Sequence, residues 1–247
     1  MKNITIPDNH EHSIDLILSN LANFFADDRK SNKLRTVLHI GAHKGEEVPY
    51  YLKFGFTKIY LVEAIPELVN HLEEKYYASD SVAVFHRAIS NCNGTTEFSI
   101  HKTKKGSVES SSLLPLKALG EIVPVFDSRR KIEVPVSTID YFVASLGIDE
   151  VNLLCLDIQG AELMALQGAE GTLRNLDCLI CEVNLLENYE GGAQEKDIED
   201  WLFKRGFVKI FTIYHELYKG DHTFPAWGEG LWINSIKYPS MNLGGEN

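Results

Sequence analysis

The amino-acid sequence predicts an α/β protein built on one doubly wound, mostly parallel sheet with helices on both faces. Three observations predict it. Short apolar or β-branched runs alternate with helical patterns along the chain, a strand-like run enters a glycine turn and then a helix at residues 37–45, and two further runs end in the carboxylates Glu63 and Asp157. Alternation of this kind gives parallel strands with helices packed on both faces. Right-handed crossovers then make a Rossmann-like, doubly wound sheet the natural solution, with ligands at the carboxyl ends of the strands.

Taken in order, Ile14, Leu16, Ile17, Leu21, Phe24 and Phe25 recur at helical spacing and predict a helix over about residues 11–27. Residues 1–30 are expected to form an N-terminal helical cap, 31–238 the main domain and 239–247 a flexible tail. Candidate strands are 36–40, 58–62, 82–88, 151–157, 179–183, 208–213 and 230–234, several apolar enough for burial on both faces. Helices are expected near 46–54, 66–77, 137–146, 161–168 and 194–205. The second of these opens on Pro66, where a first-turn residue has no intrahelical use for an N–H. The segment 95–135 breaks the rhythm with Gly106, the serine run at 110–112, Pro115 and Pro124, and reads either as an insertion over the site or as an edge hairpin with a surface loop.

Composition narrows the function classes. The 247 residues are 44% hydrophobic and 24% charged, the balance of a chain that folds around a core. A formal net charge of −11 argues against a nucleic-acid partner, because such proteins neutralise phosphates with a basic surface. The one basic concentration is Lys102, Lys104 and Lys105 with Arg129, Arg130 and Lys131, read as a solvated face or as an anion-recognising patch. Cys178 and Cys181 are spaced C-x-x-C, but strand alternation sends them to opposite faces, against zinc or redox chemistry. No membrane span is expected, since no apolar run nears the roughly 20 residues required. With no charged-then-apolar leader pattern, the expected location is cytoplasmic.

The residues that carry chemistry lie on the strand-to-helix turns. In Val37-Leu-His-Ile-Gly-Ala-His-Lys-Gly45, Gly41 lets the backbone pass close to a ligand and Gly45 lets the turn tighten into the helix. Glu63 closes the second strand some twenty residues later, where a carboxylate can accept hydrogen bonds from both hydroxyls of a ribose. The spacing is Gly-x-x-x-Gly, short of the fuller glycine fingerprint that cradles a pyrophosphate. It suits S-adenosylmethionine (SAM), which carries a sulfonium, an amine and a carboxylate but no phosphate, better than a nicotinamide dinucleotide. The third turn, Asn152-Leu-Leu-Cys-Leu-Asp157-Ile-Gln-Gly-Ala-Glu162, aims Asp157 at the same crevice. There it could hold a substrate hydroxyl, act as its general base or bind a metal ion. Glu162 could orient the loop or merely complement a helix dipole. Glu182, with Asn184 beside it, extends the acidic rim.

Together these segments resemble the FkbM-type methyltransferases of the class I SAM-dependent fold. The resemblance spans roughly residues 36–207. It rests on His-Ile-Gly-Ala-His-Lys-Gly, Val-Glu-Ala-Ile-Pro-Glu, Arg-Ala-Ile-Ser-Asn-Cys-Asn-Gly, the 110–112 serine run, Val-Ser-Thr-Ile-Asp140, and the stretch from Leu156 to Ala169. It implies a seven-stranded sheet with a final antiparallel strand, SAM as cofactor, and O-methylation of a hydroxyl on a sugar, glycan or small metabolite. It also implies that His39, Gly41, Ala42, His43 and Gly45 hold the methionine portion, and that Glu63 and Ala64 meet the ribose. Ala88 and Ile89 would border the adenine, and Ser112 would approach the cofactor. Asp157 and Glu182 are the expected catalytic residues. Three departures stand out: His39 occupies a position where many relatives carry an acid that receives the methionine amine, His43 replaces a common Asn, and Gln159 stands where an acid is frequent and so removes a possible metal ligand. A divalent metal ion is therefore possible but not predicted. N- or carboxyl-methylation and a SAM-binding protein without turnover are the alternative readings. His43, His86 and His215 are alternative bases, and the oligomeric state is not legible.

Overall fold

The computed structural model describes residues 13–25, 34–118, 126–219 and 222–239. Of the expected N-terminal cap, residues 1–12 and 26–30 lie outside the described residues, as does the expected tail beyond residue 239.

The main sheet has seven strands. Five are parallel: β1 (Thr36–Ile40), β2 (Lys58–Glu63), β3 (Val82–His86), β7 (Leu153–Leu156) and β8 (Cys178–Asn184). They lie in the order β3-β2-β1-β7-β8. Two further strands, β10 (His222–Asn234) and then β9 (Phe207–Lys219), complete the sheet, with β10 antiparallel to both of its neighbours. Every residue of β1, β7 and β8 is buried, as strands covered on both faces require.

The period of two sorts their side chains. Leu38, Ile40, Leu154, Leu156, Leu179, Cys181 and Val183 enter one core, while Val37, Leu153, Cys155, Cys178, Ile180, Leu231 and Ile233 enter the other. The second core is closed by helix α1 (Ser13–Phe25), through Ile17, Leu18 and Leu21, and by helix α2 (Val48–Lys53), through Val48 and Tyr51. The same alternation has a functional consequence. His39, Asp157, Glu182 and Glu229 each stand two residues from a member of this second core, so the carboxyl end of one sheet face becomes polar.

The sequence reading and the structure part at three places. The expected strand 82–88 stops at His86: Arg87 N–H donates to Glu63 O at 2.9 Å and turns the chain. Ala88–Ile89 (β4) then joins a separate three-stranded sheet with β5 (Gly94–Thr103) and β6 (Phe126–Ser137). The segment 95–135 is thus dominated by a long hairpin, with Phe98, Ile100, Val134 and Val136 packing on Ala64, Ile65 and Ala88 in a small third core. The last two strands run well beyond 208–213 and 230–234, because their outer halves alternate with polar residues and do not read as apolar runs. A six-residue helix, Glu170–Asn175, also escapes periodicity. Its start is fixed by Asp140, whose carboxylate accepts from Gly171 N–H, Thr172 N–H and the Thr172 hydroxyl, each at 2.7 Å. No helix among the described residues is long and apolar enough to cross a membrane.

Candidate active site

A cavity of about 800 Å³ opens at the carboxyl ends of the parallel strands. One wall is the glycine turn after β1, another the 157–160 turn after β7, and the β5/β6 hairpin side contributes Phe98, Val108 and Ser110. Gly41, His43, Glu63, Ala64, Ala88, Ile89, Asp157 and Glu182 all line it, so most of the site residues expected from sequence come together.

At the first turn Gly41 has φ +86°, and a Cβ there would stand 1.7 Å from Asp157 O. Only glycine lets the two turns touch. Glu63 is buried at the end of β2 and holds this region together: Oε1 accepts from Ala64 N–H and Ile65 N–H at 2.8 Å, and Oε2 from His43 N–H at 2.9 Å. Burial raises its pKa, against the opposing pull of those three donors. Beyond Glu63 the wall turns apolar, with Ile65, Leu68, Ala88, Ile89 and Phe98.

The second turn is organised by carboxylates and one amide. Glu162 is fully buried and accepts from Ile158 N–H and Gly160 N–H at 3.0 Å each, so loop orientation is what its carboxylate does here. Burial, reinforced by the charge of Asp157, pushes its pKa up to about 7. Gln159, at φ +58°, donates its amide to Asp157 Oδ1 at 2.7 Å and to Glu182 Oε2 at 2.6 Å, and its Oε1 accepts from the Tyr189 hydroxyl at 2.7 Å. A glutamine where an acid is frequent therefore bridges two carboxylates that would otherwise repel. Glu182 is still pushed well above the ordinary carboxylate range, first by burial and then by Asp157 and Glu162.

Four expected cofactor residues do not line the cavity. His39 is buried, with Nδ1 3.2 Å from the Tyr51 hydroxyl, and burial pulls its pKa down to about 4. It is neutral near pH 7, so Glu47, 3.9 Å away, is a neighbour rather than an ion-pair partner. Ala42 buries its methyl in the second core. Gly45 donates to Ala42 O at 2.7 Å and receives the Tyr76 hydroxyl at 3.0 Å, closing the turn. Ser112 is fully buried: its hydroxyl donates to Gln159 O at 2.7 Å and accepts from Leu114 N–H at 3.0 Å, tying the hairpin side to the 157–160 turn. The basic cluster lines none of the cavity; Arg130 pairs with Glu67 and Lys131 with Glu97.

The sequence reading missed Glu47, Tyr189, Trp227 and Glu229, all of which line the cavity. Glu229 lies directly opposite Glu182 in the β8–β10 ladder, and its Oε2 is 2.7 Å from His215 Nε2. No linear spacing encodes that pairing. Among the described residues, no group of three or more His, Cys, Asp or Glu could hold a metal ion.

The cavity fits SAM on the chemistry of its lining. Seven carboxylates and a single arginine line it, which suits a cofactor with an ammonium and a sulfonium and disfavours a pyrophosphate. Glu63 stands between the apolar slot, which suits an adenine, and the glycine turn.

Comparison with known proteins agrees with this chemistry. The family described as "Methyltransferase FkbM domain" matches residues 39–209. The chain is 26% identical over 172 residues to the 2-O-methyltransferase NoeI of Sinorhizobium fredii, covering 67% of this chain and 70% of that protein. The crystal structure of methyltransferase FkbM from Methylobacillus flagellatus shares the fold with TM-score 0.51 at 13% identity, over 92% of this chain and 56% of that longer one. With a family match across most of its length and a cavity whose acidic lining suits a cationic cofactor, the chain belongs to the FkbM methyltransferase family and is a SAM-dependent methyltransferase.

Proposed function

We propose that the protein methylates a hydroxyl oxygen on a sugar, glycan or other polyhydroxylated small metabolite. The observation that carries this is the part of the cavity lined by residues of β8 and β10. There the Trp227 ring stands with Glu182, Glu229, Asn184 and Asn188, and His215 lies behind Glu229. An aromatic surface beside convergent carboxylates and amides offers stacking for the C–H face of a sugar and hydrogen-bond acceptors for its hydroxyls. The likeness to a protein named as a 2-O-methyltransferase supports oxygen as the acceptor atom.

Bound SAM supplies an electrophilic methyl group on sulfur. The chain supplies position and a proton acceptor. Asp157 is exposed to the cavity, whereas Glu182 is buried and held towards its protonated form. Asp157 is thus the carboxylate placed to take the hydroxyl proton, and Glu182 the group placed to hold a neighbouring hydroxyl. Gln159 fixes the two relative to each other. Orientation of this kind contributes about 7–11 kcal/mol to a bimolecular step, and a positioned base about 10²–10⁴-fold.

The test is methyl-labelled SAM with a panel of oligosaccharides, hydroxylated metabolites, amines and carboxylic acids. Base-stable methyl ethers on hydroxylated acceptors, abolished by Asp157→Asn, are expected. Label appearing only in amines or base-labile esters would overturn the reading, and SAM binding without transfer to any class would favour a protein without turnover.

A further inference from the structure

The carboxylates around the cavity can be sorted by what already satisfies them. Glu63 accepts three backbone N–H groups. Glu46 faces His43 Nδ1 at 3.2 Å and accepts from Lys44 N–H at 3.0 Å. Asp157 and Glu182 share the Gln159 amide, and Glu229 faces His215. Glu109, on the hairpin side, is exposed to water. Glu47 differs from all of these.

Glu47 is the residue immediately before α2, and it lines the cavity with Gly41, His43 and Asp157 at the glycine-turn end. Its side chain is only 32% exposed, and among the described residues it has no cationic partner. Its nearest basic neighbour, His39 at 3.9 Å, is kept neutral by burial. A partly desolvated carboxylate is costly, and burial together with Glu46 and Asp157 pushes this one up to about 7, against the opposing pull of its own backbone N–H and of His43. A cation entering beside it would relieve that cost.

We infer that Glu47 receives the ammonium of the cofactor's methionine portion, the role that the buried His39 side chain does not fill. This rests on the cavity being the cofactor site. The apolar slot and Glu63 take the adenosine end, so the amino-acid end reaches the glycine turn, where Glu47 stands. A charge-assisted hydrogen bond there is stronger than one between neutral groups and selects for the ammonium.

The test is calorimetric titration of wild type, Glu47→Gln and Glu47→Asp with two ligands. S-adenosylhomocysteine carries the ammonium; 5′-methylthioadenosine lacks the whole amino-acid portion. Glu47→Gln is expected to raise the Kd for S-adenosylhomocysteine at least tenfold and to leave that for methylthioadenosine within twofold, with Glu47→Asp intermediate for the first ligand. Equal weakening for both ligands would make Glu47 a purely structural part of the turn and overturn the inference. No weakening for either would overturn it as well. Wild type that binds neither ligand would instead remove the cofactor assignment itself.

Discussion

Gly41 is where the two catalytic turns meet, and Gly41→Ala tests whether their contact builds the site. Two costs arise. The residue has φ +86°, and a left-handed backbone costs an L-residue about 1–2 kcal/mol. The added Cβ would also stand 1.7 Å from Asp157 O and 2.8 Å from Asp157 C, both backbone atoms that cannot rotate aside. Relief requires the turns to part. Gly41 N–H donates to Val62 O at 2.9 Å and Asp157 N–H to Ile40 O at 3.0 Å, so parting them weakens one or both bonds. At about 0.5–1.5 kcal/mol for each bond, the total comes to roughly 1.5–5 kcal/mol. For a chain of this size that corresponds to a fall in Tm of roughly 3–20 °C. Because the displaced atoms belong to Asp157 and to the turn carrying His43, S-adenosylhomocysteine affinity should fall along with stability. Scanning calorimetry and titration of the purified variant read both. A Gly41→Ala variant that melts within about 1 °C of wild type, well inside the shift expected, and keeps its affinity would show that the two turns are not in contact, and the site as described would fail.

Glu63→Ala removes the acceptor of three backbone N–H groups and the expected ribose contact, so affinity for S-adenosylhomocysteine and for methylthioadenosine should fall together, by about two to four orders of magnitude from two lost ribose hydrogen bonds to a charged group; unchanged titrations would refute it. Ser112→Ala should lower stability by about 1–3 kcal/mol in urea unfolding, since Leu114 N–H and Gln159 O both lose a partner, while cofactor affinity changes little. A large loss of affinity with normal stability would instead restore Ser112 as a cofactor contact. The pH dependence has a definite sign. Glu162 has a folded pKa of about 7, above its ordinary value of 4.5, so the folded state binds more protons between these values and stability falls as pH rises through that window. Glu182 is also raised, first by burial and then by Asp157 and Glu162, and adds to the fall. Glu182→Gln should therefore lose less stability than wild type between about pH 5 and pH 7 by urea unfolding; an equal or steeper loss would contradict the buried, proton-retaining carboxylate.

The sequence by itself determined the class of fold, the order of the main-sheet strands along the chain, and the three strand ends, at Gly41, Glu63 and Asp157, that line the cavity. Those features are local: apolar runs and helical spacing mark the elements, and Gly41, Glu63 and Asp157 stand at strand ends where the chain must turn. Local spacing led to Gly45 and the family resemblance to Ser112, which the structure places outside the cavity wall, because a motif records residue types and not which way they face. Tertiary structure alone decided the rest of the site. Glu229 meets Glu182 only because β10 pairs antiparallel with β8, and His215 reaches Glu229 only through the next strand. Gln159 becomes a clamp only where β7 and β8 lie side by side. The buried, neutral state of His39, which leaves Glu47 without an ion pair to it, depends on Tyr51 being pressed against the sheet by α2. Pairing across strands and burial beneath a helix join residues distant in the chain, and no spacing along the chain carries that information.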